Sequence, residues 1–358
     1  MPNLKWLCFG AGAIGTYVGG SLSLAGEDVV FLEQPAALGE VRARGLRLDL
    51  RADQRRRASE ALVLAPSALV FCESLEEALH HGPFDAAIYA LKSFDTEAAV
   101  DSMRPLAGSM PPVVCFSNGV ENEAELARVL GDGKVIAATV TTAIGRRGPG
   151  DVVLERLRGV GILSTHAISS RLLGSANAAQ LSARPYEDAA AMKWSKMLTN
   201  LIANPTSAIL DMTAAEVLGD PGIYRMEIEV LRECLAVMRA RGISIVDLPG
   251  TPVRALAIAA QLPAWASKPF LARAGGAGRG GKMPSFHIDL HSGRGRSEVE
   301  FLHGAIVRAG KELGVPTPVS SFLAATLIAL TEGRIAPQEF GRKPEKLIRA
   351  LHDRASTL

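Results

Sequence analysis

The stretch "CFGAGAIGTYVGG" holds Gly10, Gly12 and Gly15 at G-x-G-x-x-G spacing, with Ala11, Ala13 and Ile14 in the intervals. Glycines at this spacing allow a tight turn without Cβ atoms, through which backbone N–H groups and a positive helix N-terminus approach a pyrophosphate. The pattern alone is weak. Its context is specific: a strand precedes it, a helix opens on it, and a second strand ends in Glu33, eighteen residues beyond Gly15. An acid there hydrogen-bonds the adenosine ribose hydroxyls, whereas a 2′-phosphate wants arginine. Arg42 and Arg44 come one helix later and read as an exposed face, so NAD and NADP both stay open at this point.

A second candidate lies in "KWSKMLTNLIANP" (193–205), where Lys196, Asn200 and Asn204 recur at intervals of four. On a 3.6-residue helix that spacing puts them on one face, with Met197, Leu198, Leu201 and Ile202 on the other flank. A buried lysine needs a partner to stay protonated, and a nearby acid would raise its pKa. In "SGRGRSEVEFLHG", Ser297 and Glu300 form a capping-box pattern, which predicts a helix start with Glu298 in its first turn. Lys193, one turn before Lys196, is expected to be solvated. Pro205 cannot donate to the carbonyl of Leu201 and is expected to kink the helix beside Asn204.

The elements that would position these residues follow from the pattern of apolar runs. From Leu4 to about Ala143, short β-prone runs ("LKWLCFG", "DVVFLE", "SALVF", "DAAIYAL", "PVVCFSN", "KVIAATVTTA") alternate with helix-length segments, the signature of a parallel sheet with crossover helices. Lys92 follows the fourth run and Asn118 the fifth, so both are expected at the carboxyl ends of strands, on the side of the glycine loop. Asn118 with Gly119 also fits a simple turn. Beyond "GDVVLE" and "GVGILS" the β-runs stop near Pro185, and helices are expected over 188–210, 213–218, 221–241, 252–261, 297–313 and 318–332. The division expected is therefore 1–185 and 186–358. The glycine-rich "ARAGGAGRGGKMPSF" reads as an irregular loop.

Composition narrows the classes. With 48% apolar and 21% charged residues and a formal charge of +2, neither disorder nor a nucleic-acid face is indicated. No apolar run reaches the roughly 18 residues of a membrane span. Cys8, Cys72, Cys115 and Cys234 are scattered, which fits a reducing cytosol, and no signal peptide is evident, so a cytoplasmic location is expected. "HIDLH" (287–291) is an i, i+4 histidine pair, but it lacks the glutamate of H-E-x-x-H and reads as a polar surface turn, so no metal site is expected.

In order along the chain, "GAGAIG", "LKSFDTE", "SNGVENE", "TTAIGRRGPG", "KWSKMLTNLIANPTSAI" and "PSFHIDLHSGRGRSEVEFLHG" resemble the ketopantoate reductase (2-dehydropantoate 2-reductase) family. The resemblance implies an N-terminal Rossmann domain, an α/β doubly wound and mostly parallel sheet. It also implies an all-helical C-terminal domain of the 6-phosphogluconate dehydrogenase type, with the active site in the interdomain cleft. By the same resemblance Lys196 is the proton donor, Asn200 and Asn204 contact the substrate, and Ser285 binds its carboxylate. Asn118 stands at the nicotinamide and substrate junction, Lys92 on the cofactor side, Ala143 at a backbone contact to the cofactor, and Glu298 near the nicotinamide. The implied reaction is reduction of a keto acid by NADPH, with NADH as the alternative.

Two positions depart from the family pattern. Ala214 replaces an asparagine that holds a substrate hydroxyl in some members, and Gln34 and Pro35 stand where NADP-dependent members commonly have arginine. A paralogous reductase of another 2-keto acid or an opine-like substrate is therefore the second reading, and a non-catalytic sensor of NADP(H) the third. Neither nucleic acid nor a membrane is an expected partner, and a homodimer is left open.

Overall fold

The computed structural model describes residues 3–268, 283–293 and 295–355. Its contacts divide the chain into two compact units, Met1–Lys193 with Leu248–Thr251, and Trp194–Asp247 with Pro252–Leu358.

The first unit has strands β1 (Lys5–Phe9), β2 (Asp28–Leu32), β3 (Leu46–Asp49), β4 (Leu62–Leu64), β5 (Val70–Cys72), β6 (Ala86–Tyr89), β7 (Val113–Cys115), β8 (Val135–Val140), β9 (Ala143–Gly148), β10 (Asp151–Arg156), β11 (Val160–Leu163) and β12 (Ala183–Tyr186). Its helices are α1 (Ala13–Leu24), α2 (Pro35–Arg44), α3 (Leu75–His80), α4 (Thr96–Met103), α5 (Asn122–Leu130) and α6 (Ser169–Ala178). Eight strands form a sheet in the order β12-β11-β8-β7-β6-β1-β2-β5, parallel except where β11 meets β8. The strands bury both faces with a period of two: Leu7, Phe9, Ala87, Tyr89 and Val113 join one core, and Trp6, Cys8, Ala86, Ile88 and Val114 the other. Strand order reverses between β1 and β6. The crevice at the carboxyl ends of these two strands is where an open α/β sheet takes its ligand.

A second sheet, β4-β3-β10-β9, was not expected. Strand β3 (LRLD) is half charged and β4 has only three residues, so neither offers a strong alternation, yet Leu46, Leu48, Val152 and Leu154 are buried in the core around α1. Pairing across the sheet, rather than local propensity, makes these strands.

The second unit is built of helices: α7 (Ala189–Leu201, which starts in the first unit), α8 (Asn204–Leu210), α9 (Ala214–Gly219), α10 (Pro221–Ala240), α11 (Val253–Gln261), α12 (Ser285–His291), α13 (Val299–Leu313), α14 (Pro318–Thr331) and α15 (Pro344–Ala355). The helix expected over 188–210 is two helices, not one. Ala203 takes φ +54°, a left-handed conformation, and Pro205 sits in the first turn of α8. The proline has no N–H for the i−4 carbonyl, so the helix stops and restarts rather than bending. "HIDLH" is helical, as α12, and not the surface turn expected. The glycine-rich segment lies mostly outside the described residues.

Candidate active site

The glycine loop leaves β1 with Gly10 at φ +85°. Its N–H donates to the Leu32 carbonyl (2.8 Å), which ties the turn to the end of β2. A Cβ on Gly15 would lie 2.0 Å from the Gly10 carbonyl oxygen, so only glycine lets α1 start so close to the turn. A Cβ on Gly12 would meet nothing within 4 Å. Gly12 is the N-cap of α1, with no side-chain cap and no acid in the first turn. This cradle suits a pyrophosphate, because open space faces first-turn N–H groups at a positive helix end. Glu33 accepts from the N–H groups of Ala11 (2.5 Å) and Gln34 (2.8 Å), so its carboxylate stands beside the loop.

Lys92 and Asn118 follow β6 and β7, and the two loops are sewn together. The Asn118 carbonyl accepts from the Ser93 hydroxyl (2.6 Å) and the Asn122 amide (2.5 Å), and the Ser117 hydroxyl donates to the Leu91 carbonyl (2.7 Å). Gly119 at φ +90° makes the turn that was the alternative reading of this pair, so the turn and the strand-end position coexist. A Cβ on Gly10 would lie 3.2 Å from Leu91, which sets the glycine loop beside the β6 end. Ala143 is half-buried at the start of β9.

Lys193 corrects an expectation: it is buried, not solvated, with 5% of its surface exposed. Its Nζ lies 2.7 Å from a Glu123 carboxylate oxygen and donates to the carbonyls of Ser117 (2.6 Å) and Ala138 (3.3 Å). Burial is the largest single effect and works against the ammonium, yet the Glu123 charge, the Cys115 thiol and the hydrogen bond to Glu123 together outweigh it, and the pKa is raised above that of an ordinary lysine. Glu123 stands in the first turn of α5. Through Lys193 it pins the backbone next to Asn118.

In the second unit, Lys196 is half-buried and its Nζ donates to Asn200 Oδ1 (2.8 Å). The Asn204 amide donates to the Asn200 carbonyl (3.0 Å) and to Ser285 Oγ (3.2 Å), and its Oδ1 accepts from the Phe286 N–H (3.0 Å). Lys196, Asn200, Asn204 and Ser285 therefore form one connected polar ridge. It crosses the helix break, which sequence periodicity alone would have run straight through. What holds the break is Glu227 of α10, 3% exposed, which accepts from the Ala203 N–H (2.6 Å) and the Thr206 hydroxyl (2.6 Å). Sequence reasoning missed Glu227. The signal was its place on the apolar face of α10, one turn beyond Ile223 and Tyr224.

Glu298 is 1% exposed and is the N-cap residue of α13, not part of its first turn. The expected capping box does not form: Ser297 Oγ accepts from the Val299 N–H (3.3 Å), and no side chain caps the N-cap position. The residues expected to act thus fall into two groups. Gly10 to Gly15, Glu33, Lys92, Asn118 and Ala143 belong to the first unit, and Lys196, Asn200, Asn204, Ser285 and Glu298 to the second.

Comparison with known proteins bears on both units. The family Ketopantoate reductase PanE/ApbA matches residues 6–164, and its C-terminal part matches residues 188–331. The 2-dehydropantoate 2-reductase of Archaeoglobus fulgidus is 27% identical over 332 residues, covering 90% of this chain and 95% of that protein. The structure of a PanE/ApbA family ketopantoate reductase from Ralstonia eutropha JMP134 superimposes with a TM-score of 0.74 at 27% identity, covering 92% of this chain and 99% of that one. D-mandelate dehydrogenase in its complex with NADH and anilino(oxo)acetate shares the fold, with a TM-score of 0.74 at 19% identity and coverage of 92% and 99%. Among the described residues no helix is long and apolar enough to cross a membrane. With both parts of the family matched over most of its length, the chain belongs to the ketopantoate reductases, a family of oxidoreductases.

Proposed function

We propose that this protein reduces a 2-keto acid with a reduced nicotinamide dinucleotide, 2-dehydropantoate to (R)-pantoate in the first instance, with Lys196 as proton donor. The observation that carries the proposal is the ridge Lys196–Asn200–Asn204–Ser285, a cation and three neutral polar groups joined by hydrogen bonds. A keto acid presents the complementary set, a carboxylate beside a polarisable carbonyl.

The cradle of Gly10, Gly12 and Gly15 would hold the pyrophosphate and Glu33 the adenosine ribose, with Lys92, Asn118 and Ala143 further along the dinucleotide. Bound there, the reduced nicotinamide supplies the two electrons and the hydrogen that the keto carbon gains. The rest falls to the protein. The Ser285 hydroxyl binds the substrate carboxylate, and the Asn204 amide holds that hydroxyl in place. Asn200 Oδ1 holds the Lys196 ammonium in place, so that Nζ meets the carbonyl oxygen as negative charge grows there and then yields its proton to it. Glu298 closes the set from the start of α13. Each side chain is anchored by a neighbour, so little reorganisation is needed at the moment of reaction.

One observation favours the second reading, a different 2-keto acid. Ala214 is 2% exposed at the start of α9, packed where some family members use asparagine for a substrate hydroxyl. On the cofactor, NADPH is the family expectation, while the Glu33 carboxylate beside the loop and the absence of arginine at 34 and 35 favour NADH. D-mandelate dehydrogenase, of the same fold, takes NADH. A panel of 2-keto acids assayed with NADPH and with NADH tests all of this together. The highest kcat/KM should fall on 2-dehydropantoate. A higher value on a bulkier or aromatic keto acid replaces the substrate, and binding of the dinucleotide with no turnover on any member removes the enzymatic reading.

A further inference from the structure

The second unit contains a cluster that the proposed reaction does not use. Helix α8 ends at Asp211, which adopts the left-handed conformation (φ +50°) as the C-cap. Helix α12 lies against it and carries His287 and His291, one turn apart on the same face. His287 Nε2 is 2.8 Å from Asp211 Oδ1, and the two imidazole rings are 4.2 Å apart between centroids. One ligating atom from each of the three residues lies within 4.8 Å of the other two.

We propose that Asp211, His287 and His291 form a divalent transition-metal site, best suited to zinc, that staples α12 to the end of α8. Two imidazole nitrogens and one carboxylate oxygen are a zinc-type donor set, whereas calcium and magnesium require oxygen. Metal–ligand bonds of about 2.0–2.2 Å in a tetrahedral site leave ligand atoms roughly 3.3 Å apart. Closing from 4.8 Å or less therefore takes about 1.5 Å of side-chain movement, within reach of small rotamer changes because Asp211 and His291 are exposed. The i, i+4 spacing on a formed helix supplies two of the three ligands without moving the backbone.

The electrostatics also fit a cation. Arg342 and Lys343 line the same pocket as Asp211 and His291, and both are engaged elsewhere: the Arg342 guanidinium by Glu216 Oε1 at 2.7 Å, while donating to the Asp211 carbonyl at 3.4 Å, and Lys343 Nζ by the Gln338 carbonyl at 2.6 Å. The fourth position of the metal is left to water. The role is structural: α12 begins at Ser285, which bonds Asn204 at the start of α8, so the metal would fix the far ends of two helices already joined at their near ends.

The test uses the full chain without a histidine tag, titrated with zinc chloride by calorimetry and with cobalt(II) by absorption. One equivalent of zinc should bind, with a ligand-field spectrum for cobalt. His291→Ala and His287→Gln should each weaken zinc binding by about tenfold or more, and Asp211→Asn by less. Because His291 is exposed, its replacement should leave the circular dichroism spectrum unchanged. Zinc should also slow amide exchange across 285–291 in the native protein and not in the His291 variant. Absence of stoichiometric zinc binding, or binding of equal strength in the His287→Gln/His291→Ala double variant, overturns the proposal.

Discussion

The glycine loop of the first unit and the polar ridge of the second use opposite means. The loop works through backbone: on the proposed function its N–H groups would bind the pyrophosphate, and its side chains matter by being absent. The ridge works through side chains whose placement depends on a backbone break that none of its own members causes. Glu227, on another helix, holds that break by accepting from Ala203 and Thr206. A motif made of absences can be read from one short window. A motif made of positioned groups needs the fold.

Two lysines one turn apart sharpen the contrast. Lys196 is half-buried and tied to Asn200, while Lys193 is buried against Glu123. The largest expected effect is on the first: Lys196→Met should lower kcat by about 10²- to 10⁴-fold, with dinucleotide affinity and melting temperature little changed. Loss of dinucleotide binding, measured by fluorescence titration, would place this lysine with the cofactor instead. Lys193→Ala should act on stability, by about 3 kcal/mol in urea unfolding, because it strands a largely buried carboxylate. A change under about 0.5 kcal/mol would show that the pair is not as enclosed as its geometry indicates.

Next comes a test inside the loop. Gly15→Ala should destabilise the protein without any ligand present, by about 1–3 kcal/mol, since its Cβ would collide with the Gly10 carbonyl. Gly12→Ala has open space and φ −72°, so it should unfold within about 0.5 kcal/mol of the parent yet bind the dinucleotide more weakly. Equal stability losses would mean that Gly12, too, is there for the fold.

The last effect is a slope rather than a step. His303 of α13 is fully buried, neither ring nitrogen has a hydrogen-bond partner among the described residues, and burial holds its pKa down to about 3 from the ordinary 6.5. The unfolded chain takes up this proton below about 6.5 and the folded chain only near 3. Stability from this group is therefore complete above 6.5 and is lost as pH falls through that window, by at most about 1.4 kcal/mol per pH unit. Unfolding of His303→Leu at pH 7 and pH 5 should show a shallower loss than the parent.

Much of this was legible in advance. The long apolar runs around Cys8, Ile88 and Val114 are strands because both faces of the main sheet are buried, and the glycine spacing placed the loop. What escaped was decided at a distance. Strands β3 and β4 exist through pairing, α12 through packing on α8, and Lys193 is buried because Glu123, seventy residues earlier, meets it. A solvated lysine and a paired buried one look alike in a sequence until the partner is placed.

The central claim is that Lys196 protonates the keto oxygen. The most direct measurement is a crystal structure of the ternary complex with oxidised dinucleotide and a non-reacting keto acid analogue. The account predicts Lys196 Nζ within about 2.6–3.2 Å of the oxygen that stands for the carbonyl, with the Ser285 hydroxyl on the carboxylate. That oxygen held by another donor, with Nζ turned away from it, would contradict the account.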